Sequence, residues 1–423
     1  MSITVVIGSQ WGDEGKGKII DVLSSMADFV VRFHGGNNAG HTVVNQYGKF
    51  PLHLIPCGIF AKKVKVCITN GVVLDLEVLV AEIELLKKAG FTLEGRLFIS
   101  PRCHMILPYH KILDKLYEEV KGKAKTGTTG RGIGPVYADK VSYNGIRLFD
   151  LLNTAQFSEK LTIQLNIKNK IIQALGGEPI DKKEVEKTFL EYFQKLEPYI
   201  KEPYPLLLQA IKENRSILFE GAHGVFLDND WGTYPFVTAS TVLSGGINAS
   251  SGIPAKEIKE VVGVVKAYTT RVGTGSFPTE LFDDDGETLR KEGNEFGTTT
   301  GRARRCGWFD AELVRFAVQI NGFTKLALTK LDVLDTFSEI KLCTGYELNN
   351  KRVNYYDGDA VFLEKIKPVY KTMKGWKQST RGITDFEKLP LQAKQYIKEV
   401  EKQVGAPVAY ISTGPAREEL IVR

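Results

Sequence analysis

The sequence predicts an α/β protein, and three observations carry that reading. A β-branched apolar run, Ile3 to Ile7, is followed by a glycine-rich turn and then by a helically spaced segment from Lys18 to Met26. Short apolar strands continue to alternate with helical stretches along the chain. Glycine is also concentrated. It supplies 41 of the 423 residues, many in clusters beside Asn, Thr, Lys and Arg, where backbone N–H groups and cations together build anion sites.

Taken in order, Phe29 to Phe33 reads as a second strand and Val43 to Leu54 as a hairpin turning at Asn45 to Gly48. Leu76, Leu79, Val80, Ile83 and Leu86 share one face of a helix that stops at Gly90. Residues 151–213, rich in Lys and Glu and poor in glycine, read as a mostly helical insertion beside the sheet. Strand signals return at Ile217 to Glu220, Val261 to Tyr268 and Lys325 to Leu331. Ile340 to Tyr356 reads as a hairpin turning at Asn349 and Asn350, and helix Leu391 to Val404 and strand Val408 to Ile411 close the chain. No repeat, low-complexity tract or linker interrupts the series, so residues 1–423 read as one elaborated domain.

Composition narrows the function classes. Apolar residues make up 43% and charged residues 25%, which excludes disorder. No apolar run reaches the roughly 20 residues of a membrane span, and the N-terminus lacks the basic-then-apolar pattern of a signal peptide. The excess of 56 Lys and Arg over 50 Asp and Glu gives +6, too diffuse to indicate a nucleic-acid surface. Five scattered cysteines without a C-x-x-C pair argue against a disulfide framework or a structural zinc site. A cytoplasmic protein with neither a nucleic-acid nor a membrane partner is expected.

Gly12 to Lys18 has the spacing G-x-x-x-x-G-K between strand and helix, where a phosphate cradle belongs, although Ile19 stands where Ser or Thr usually holds magnesium. A tight turn with a surface lysine has the same spacing. Asp13 and Glu14 lie inside this loop, and carboxylates there repel phosphate unless they hold a cation or move a proton. Asp13 is suited to either task, and equally to forming the turn itself. At the end of another strand, Lys330 and Asp332 are spaced so that the carboxylate can accept from guanine N1–H and the 2-amino group, a donor pair adenine lacks; a strand-end salt bridge is the competing use. Arg302, Arg304 and Arg305 follow Gly297–Gly301 and are suited to carboxylates or phosphates, or to a solvated basic loop. His41 follows Asn38, Ala39 and Gly40 and is a candidate general acid; His223, in a glycine loop after a strand, is a candidate ligand contact.

With these motifs, the chain resembles the adenylosuccinate synthetase family from Ile3 to about Arg417. The resemblance is carried by Gln10 to Lys18, Gly35 to Thr42, His53 to Pro56, Gly127 to Pro135, Phe219 to Ala222, Gly232 to Pro235, Arg271 to Gly273, Phe277 to Glu280, Lys330 to Asp332 and Ser412 to Pro415. It implies a large central mixed β-sheet with flanking helices, a P-loop NTPase-like GTP-binding fold working as a homodimer. It also implies a Mg²⁺-dependent ligase joining IMP and L-aspartate at the expense of GTP through a 6-phosphoryl-IMP intermediate. By that resemblance Asp13 is the base and His41 the acid, with Lys16 beside them; Asp13 and the Gly40 carbonyl hold the metal. GTP falls to Gly12, Glu14, Gly15, Gly17, Lys18, Gly40, Thr42, Arg304, Lys330, Leu331, Asp332, Ser412, Thr413 and Gly414. IMP falls to Asn38, Ala39, Thr129, Tyr143, Arg147, His223, Thr238 and Arg302, and aspartate to Thr298, Thr299, Thr300, Gly301, Arg302 and Arg304.

Two positions depart from the family pattern. Tyr143 stands where an arginine usually reaches across the dimer to the IMP 5′-phosphate, and His223 where a glutamine usually contacts the base. A tyrosine cannot supply the bidentate charged pair, which leaves Arg147 or Lys140 to compensate. The departures keep two alternatives open: the same chemistry on another 6-oxopurine nucleotide such as dGMP, or a GTP-binding regulatory protein without catalysis.

Overall fold

The computed structural model describes residues 3–423 apart from 46, 297–302, 354–355 and 357. Its centre is a nine-stranded sheet built from β1 (Ile3–Gly8), β2 (Phe29–Arg32), β3 (Lys65–Ile68), β4 (Leu97–Ile99), β5 (Ile217–Gly224), β6 (Glu260–Lys266), β7 (Lys325–Thr329), β8 (Val408–Ser412) and β9 (Leu420–Val422). In space they run β9-β8-β7-β6-β1-β5-β2-β3-β4. All neighbours are parallel except the edge pair β8 and β9, so the sheet is mixed and mostly parallel.

Such a sheet must be covered on both faces, and the residue alternation in β1 shows how this is done. Val5 and Ile7 face one hydrophobic cluster, completed by the helices Ala311–Asn321 and Leu391–Val404. Val6 faces the other, completed by Lys16–Ser24 (α1), Leu76–Lys88 and Thr154–Ala174. Asp75 caps the Leu76–Lys88 helix by accepting from Val78 N, and Gly90 follows its end at a φ of 85°.

Most expected elements form within a few residues of their sequence limits. The helix after the first turn begins at Lys16 rather than Lys18. The 43–54 hairpin pairs His41–Asn45 with Gly48–Leu52. The 151–213 segment contains the helices Thr154–Ala174, Lys182–Leu196 and Pro203–Lys212. The strand expected to reach Leu331 stops at Thr329 because Lys330 turns into the left-handed region at a φ of 58°. Likewise the strand expected to reach Tyr268 stops at Lys266, and Thr269–Arg271 pairs separately with Arg305–Gly307. The 340–356 hairpin, whose residues 354–355 lie outside the described residues, turns through Asn349 and Asn350, both at positive φ, but gains a third strand, Lys367–Lys374, and a short fourth, Phe309–Asp310, that the sequence did not signal.

The helical segment is pinned by a buried cluster. Asp139 accepts from Lys168 Nζ at 2.5 Å and lies 3.0 Å from His110 Nε2, joining three helices below the 126–132 loop. Among the described residues no helix is long and apolar enough to cross a membrane.

Candidate active site

The carboxyl ends of β1, β5, β6, β7 and β8 open on one edge of the sheet, where parallel α/β sheets carry their ligands. The loop between β1 and α1 is shaped by three residues at positive φ: Gly12 (87°), Asp13 (60°) and Gly15 (87°). Glu14 is fully buried beneath it. Its Oε1 accepts from Gln10 N at 3.0 Å and Gly12 N at 2.9 Å, and its Oε2 lies 2.7 Å from Lys16 Nζ. Glu14 and Lys16 therefore brace the loop from within, while Asp13 lies on its exposed side. A Cβ on Gly8 or Gly224 would overlap the Glu14 carboxylate, which explains glycine at both positions.

Lys18, one turn into α1, donates to Ser412 Oγ (2.8 Å), Gly414 O (2.7 Å) and Glu419 O (2.8 Å). Burial pulls its pKa down to about 8, against the opposing pull of Glu419 and Asp332. These bonds join the end of β8 to the loop helix, Thr329 Oγ1 at the end of β7 donates to Glu14 O at 2.5 Å, and Asp332 is near enough to act electrostatically on Lys18. Burial raises the Asp332 carboxyl above its ordinary value. Thr413 is buried and donates to Ile383 O at 2.9 Å, and Leu331 is buried in the core. Gly17 is buried in the first turn of α1.

A second cluster gathers charges from distant parts of the chain. Arg304 Nε donates to Asp13 Oδ2 at 2.8 Å, and Arg304 Nη1 donates to Glu295 Oε2 at 2.8 Å. Glu295 also accepts from Lys266 and Lys330, and these cations hold its carboxyl well below the usual range despite its burial. Residues 297–302, including Thr298, Thr299, Thr300, Gly301 and Arg302, lie outside the described residues.

His41 heads the hairpin after the Asn38–Gly40 turn. Its Nδ1 lies 2.8 Å from Glu220 Oε1, and its buried Nε2 has no partner in the described structure. Glu220 also accepts from Cys57 N at 2.8 Å and lies 3.4 Å from Arg32 Nη1. Burial lowers the His41 pKa, and Glu220 partly opposes it. The donor atoms of His41, Cys57 and Glu220 lie within 4.8 Å of one another. Arg32 and the Cys57 N–H already satisfy the carboxylate, and burial pushes the thiol far up, so the group is a hydrogen-bonded cluster rather than a cation site. Oxygen donors better suited to Mg²⁺ are offered by the Asp13 carboxylate and the Gly40 carbonyl, on two loops leading out of β1 and β2. Thr42 follows in the hairpin, paired with Pro51.

His223 takes a φ of 58° at the end of β5, beside Gly35, with both ring nitrogens buried and unpartnered. Burial pulls its pKa down to about 3, so the imidazole is neutral. Asn38 Nδ2 donates to Thr238 Oγ1 at 3.3 Å, leaving Asn38 Oδ1 buried and unpaired, with Ala39 half-buried alongside. These unpaired polar atoms are what a bound polar ring would satisfy. Thr129, Tyr143 and Arg147 are different: all three are exposed, Tyr143 to 97%, and they are bonded to none of the groups above. The loop before Thr129 is held by Glu118, which accepts from Thr126 N, Gly127 N and Thr128 N. Lys140 lies over the Tyr137 ring and donates to Asn70 O at 3.3 Å.

Glu220, Arg32, Glu295 and Lys266 were not singled out from sequence. Each is a single charge within or beside an apolar strand or a loop, and the one signal that could have found Arg32, Glu220 and Lys266 is a charge inside an otherwise apolar strand.

The comparisons with known proteins agree with one another. A family model described as adenylosuccinate synthetase matches residues 5–421. The adenylosuccinate synthetase of Halothermothrix orenii is 49% identical over 425 residues, covering 100% of this chain and 99% of that protein. That of Geobacter metallireducens is 49% identical over 423 residues, covering 100% and 98%. Among solved structures, the fully ligated adenylosuccinate synthetase of Plasmodium falciparum superposes with a TM-score of 0.95 at 38% identity, covering 100% of both chains. Cyanophage S-2L succinoaminodeoxyadenylate synthetase, at 19% identity and a TM-score of 0.63 over 100% of this chain and 95% of that one, shares the fold.

Proposed function

The chain belongs to the adenylosuccinate synthetase family and is by that membership a GTP-dependent ligase of purine biosynthesis acting on IMP and L-aspartate, and we propose that it works through 6-phosphoryl-IMP with Asp13 as base and His41 as acid. The 6-oxo group of hypoxanthine is a poor leaving group. Asp13 takes the N1 proton, O6 attacks the γ-phosphorus of GTP, and GDP leaves. The aspartate amine then displaces phosphate at C6 and gives up a proton.

The observation that carries this assignment is the 2.8 Å contact between Asp13 and Arg304. It joins the phosphate loop to the end of the loop proposed for aspartate, so the base and the second substrate meet at one point. When Arg304 turns to the aspartate carboxylate and GTP, Asp13 is released to face the base. His41 is oriented by Glu220, which accepts from Nδ1 and leaves Nε2 for the transferred phosphoryl group. Lys16 balances Glu14 within the loop. Asp13 and the Gly40 carbonyl would hold Mg²⁺, which when bound offsets phosphoryl charge. Lys330, Asp332, Lys18 and Ser412 to Gly414 take GTP; Asn38, Ala39, Thr129, Thr238, His223 and Arg302 take IMP, and residues 298–304 take aspartate. Tyr143 and Arg147, exposed at the surface, are assigned to the IMP phosphate across a homodimer. A single elaborated domain working in the cytoplasm completes the reading.

Purified protein supplied with IMP, L-aspartate, GTP and Mg²⁺ is expected to make adenylosuccinate, with activity lost when any one is omitted. A panel replacing IMP with other 6-oxopurine nucleotides tests the base. Absence of product from folded protein across that panel contradicts the assignment.

A further inference from the structure

We propose that Glu118 is a positioning residue for the nucleotide substrate: its carboxylate fills the nest of backbone N–H groups at residues 126–128 and so holds Thr129, the next residue, in place for the 5′-phosphate of IMP. The inference rests on the functional reading above, which gives Thr129 to IMP.

Glu118 lies in the last turn of the helix Pro108–Lys121, and its side chain is only 12% exposed although the loop over it faces solvent. Its Oε1 accepts from Thr126 Oγ1 at 2.6 Å, Lys121 Nζ at 3.0 Å and Thr126 N at 3.3 Å. Its Oε2 accepts from Gly127 N at 2.7 Å and Thr128 N at 3.3 Å. Three successive backbone N–H groups thus converge on one anion, an arrangement that in other proteins binds phosphate. Here the anion belongs to the chain. Desolvation by itself would raise the carboxyl, but the bonds from Thr126, Lys121 and Gly127 bring it down to about 2, so the nest keeps its charge at neutral pH.

The far end of the loop is held from the same side of the helix. His110, Asp114 and Glu118 recur every four residues and so share one face. Asp114 Oδ2 accepts from Gly132 N at 2.9 Å, and a Cβ on Gly132 would come within 2.9 Å of His110, so loop and helix close directly on each other. His110 Nδ1 accepts from Leu107 N at 2.9 Å, which leaves its Nε2–H for Asp139, 3.0 Å away in the helix Ile133–Val141 that follows the loop.

Between the two carboxylate anchors, Thr129, Gly130 and Arg131 make no hydrogen bond among the described residues, and Thr129 and Gly130 are exposed. A short span fixed at both ends and unbonded in between can close on an incoming anion with little further loss of chain freedom. Without the Glu118 carboxylate, the N–H groups of 126–128 lose their shared acceptor, and IMP must order the backbone as it binds. Glutamine keeps the shape of the side chain but not the nest. Its oxygen can serve one side, while its NH₂ meets the N–H groups of the other donor to donor. Lys121 touches Oε1 from outside the loop, so Lys121→Ala removes the ion pair and leaves the nest filled.

The test compares the full-length wild type, Glu118→Gln and Lys121→Ala. Steady-state kinetics are measured with IMP, GTP, L-aspartate and Mg²⁺, and hydrogen exchange is read over residues 122–132 without ligands. In Glu118→Gln, exchange at 126–128 is expected to quicken at least about tenfold, as local protection is lost. The KM for IMP is expected to rise at least about fivefold, the effect of fixing one backbone residue on binding. Both kcat and the KM for GTP should stay within about twofold, the split that marks lost substrate binding. Lys121→Ala should change neither readout. Thr126→Val deletes only the shortest of the five bonds and is the second variant should the amide fail to fold; the same changes are expected, with a KM rise of at least about twofold.

Unaltered exchange in a folded variant overturns the proposal and leaves the functional reading standing. An equal rise in the KM for IMP in Lys121→Ala also overturns it, because the ion pair and not the nest would then be responsible. Quickened exchange with an unmoved KM for IMP, whatever happens to kcat or the melting temperature, takes IMP away from Thr129, and the assignment falls together with the proposal. A folded wild type that does not turn over IMP contradicts the functional reading itself, and the proposal with it.

Discussion

His41 and Glu220 lie 179 positions apart in the chain, yet Nδ1 of the imidazole stands 2.8 Å from Oε1 of the carboxylate. Glu220 projects from β5, and His41 begins a hairpin after the adjacent β2. The carboxylate sets the tautomer, placing the proton on Nδ1, and opposes the effect of burial on the ring. Glu220→Gln should therefore reduce kcat at least about tenfold without abolishing folding, and by less than the roughly 100- to 10,000-fold lost with a general acid itself. An unchanged kcat in the folded variant would separate Glu220 from catalysis.

Asp13→Asn removes the proposed base while keeping the shape of its side chain and of the loop. Turnover should fall by at least roughly 100-fold, with binding of the GTP analogue retained. Near-normal turnover in a steady-state assay argues that another group takes the N1 proton.

Asp332→Asn replaces a double acceptor by one acceptor and one donor, mismatching guanine N1–H and the 2-amino group. The ratio of kcat/KM for GTP over ATP should drop at least about tenfold. A constant ratio means the guanine is recognised elsewhere.

Tyr143→Arg alters a residue that is 97% exposed and already at a φ of 68°. Stability should change by no more than about 0.5 kcal/mol, as for other surface substitutions. The KM for IMP should fall if this surface meets the 5′-phosphate across a dimer, since an arginine restores a bidentate charged contact. An unchanged KM removes position 143 from phosphate binding.

The histidines give the protein an acid sensitivity of known sign. Burial pulls His223 to about 3 and His104 to about 4 from an ordinary 6.5, so both are neutral when folded. Below pH 6.5 the unfolded chain binds more protons, and stability present above that pH is lost as pH falls toward the folded values. His223→Gln should remove part of this slope. Between pH 6.5 and 4.5 the variant should lose roughly 2–3 kcal/mol less than the wild type, at about 1.4 kcal/mol per pH unit. Urea unfolding at three pH values measures it, and parallel curves for the two proteins contradict it.

Local chemistry was legible along the chain. The first strand, its glycine turn and its helix follow from β-branching, glycine spacing and apolar periodicity, each acting over a few residues. So does the Asn349-Asn350 turn, because asparagine tolerates the left-handed region both residues occupy. Motif resemblance also nominated Asp13, His41, Lys330 and Asp332 by residue type and spacing. The third strand Lys367–Lys374 was not legible: its burial alternates weakly, and its register depends on the partner Glu339–Leu348.

What the chain order alone determined is therefore the set of local units and the reactive groups they carry. Which charges meet was decided by the tertiary structure alone. Parallel strands joined by long crossovers bring Arg304 to Asp13 across 291 positions and four buried or half-buried donors to Glu295. A lone glutamate in a loop carries no sign of its partners, because the energy of the cluster arises only when burial removes water and leaves three cations and the Tyr268 hydroxyl as its hydrogen-bond donors.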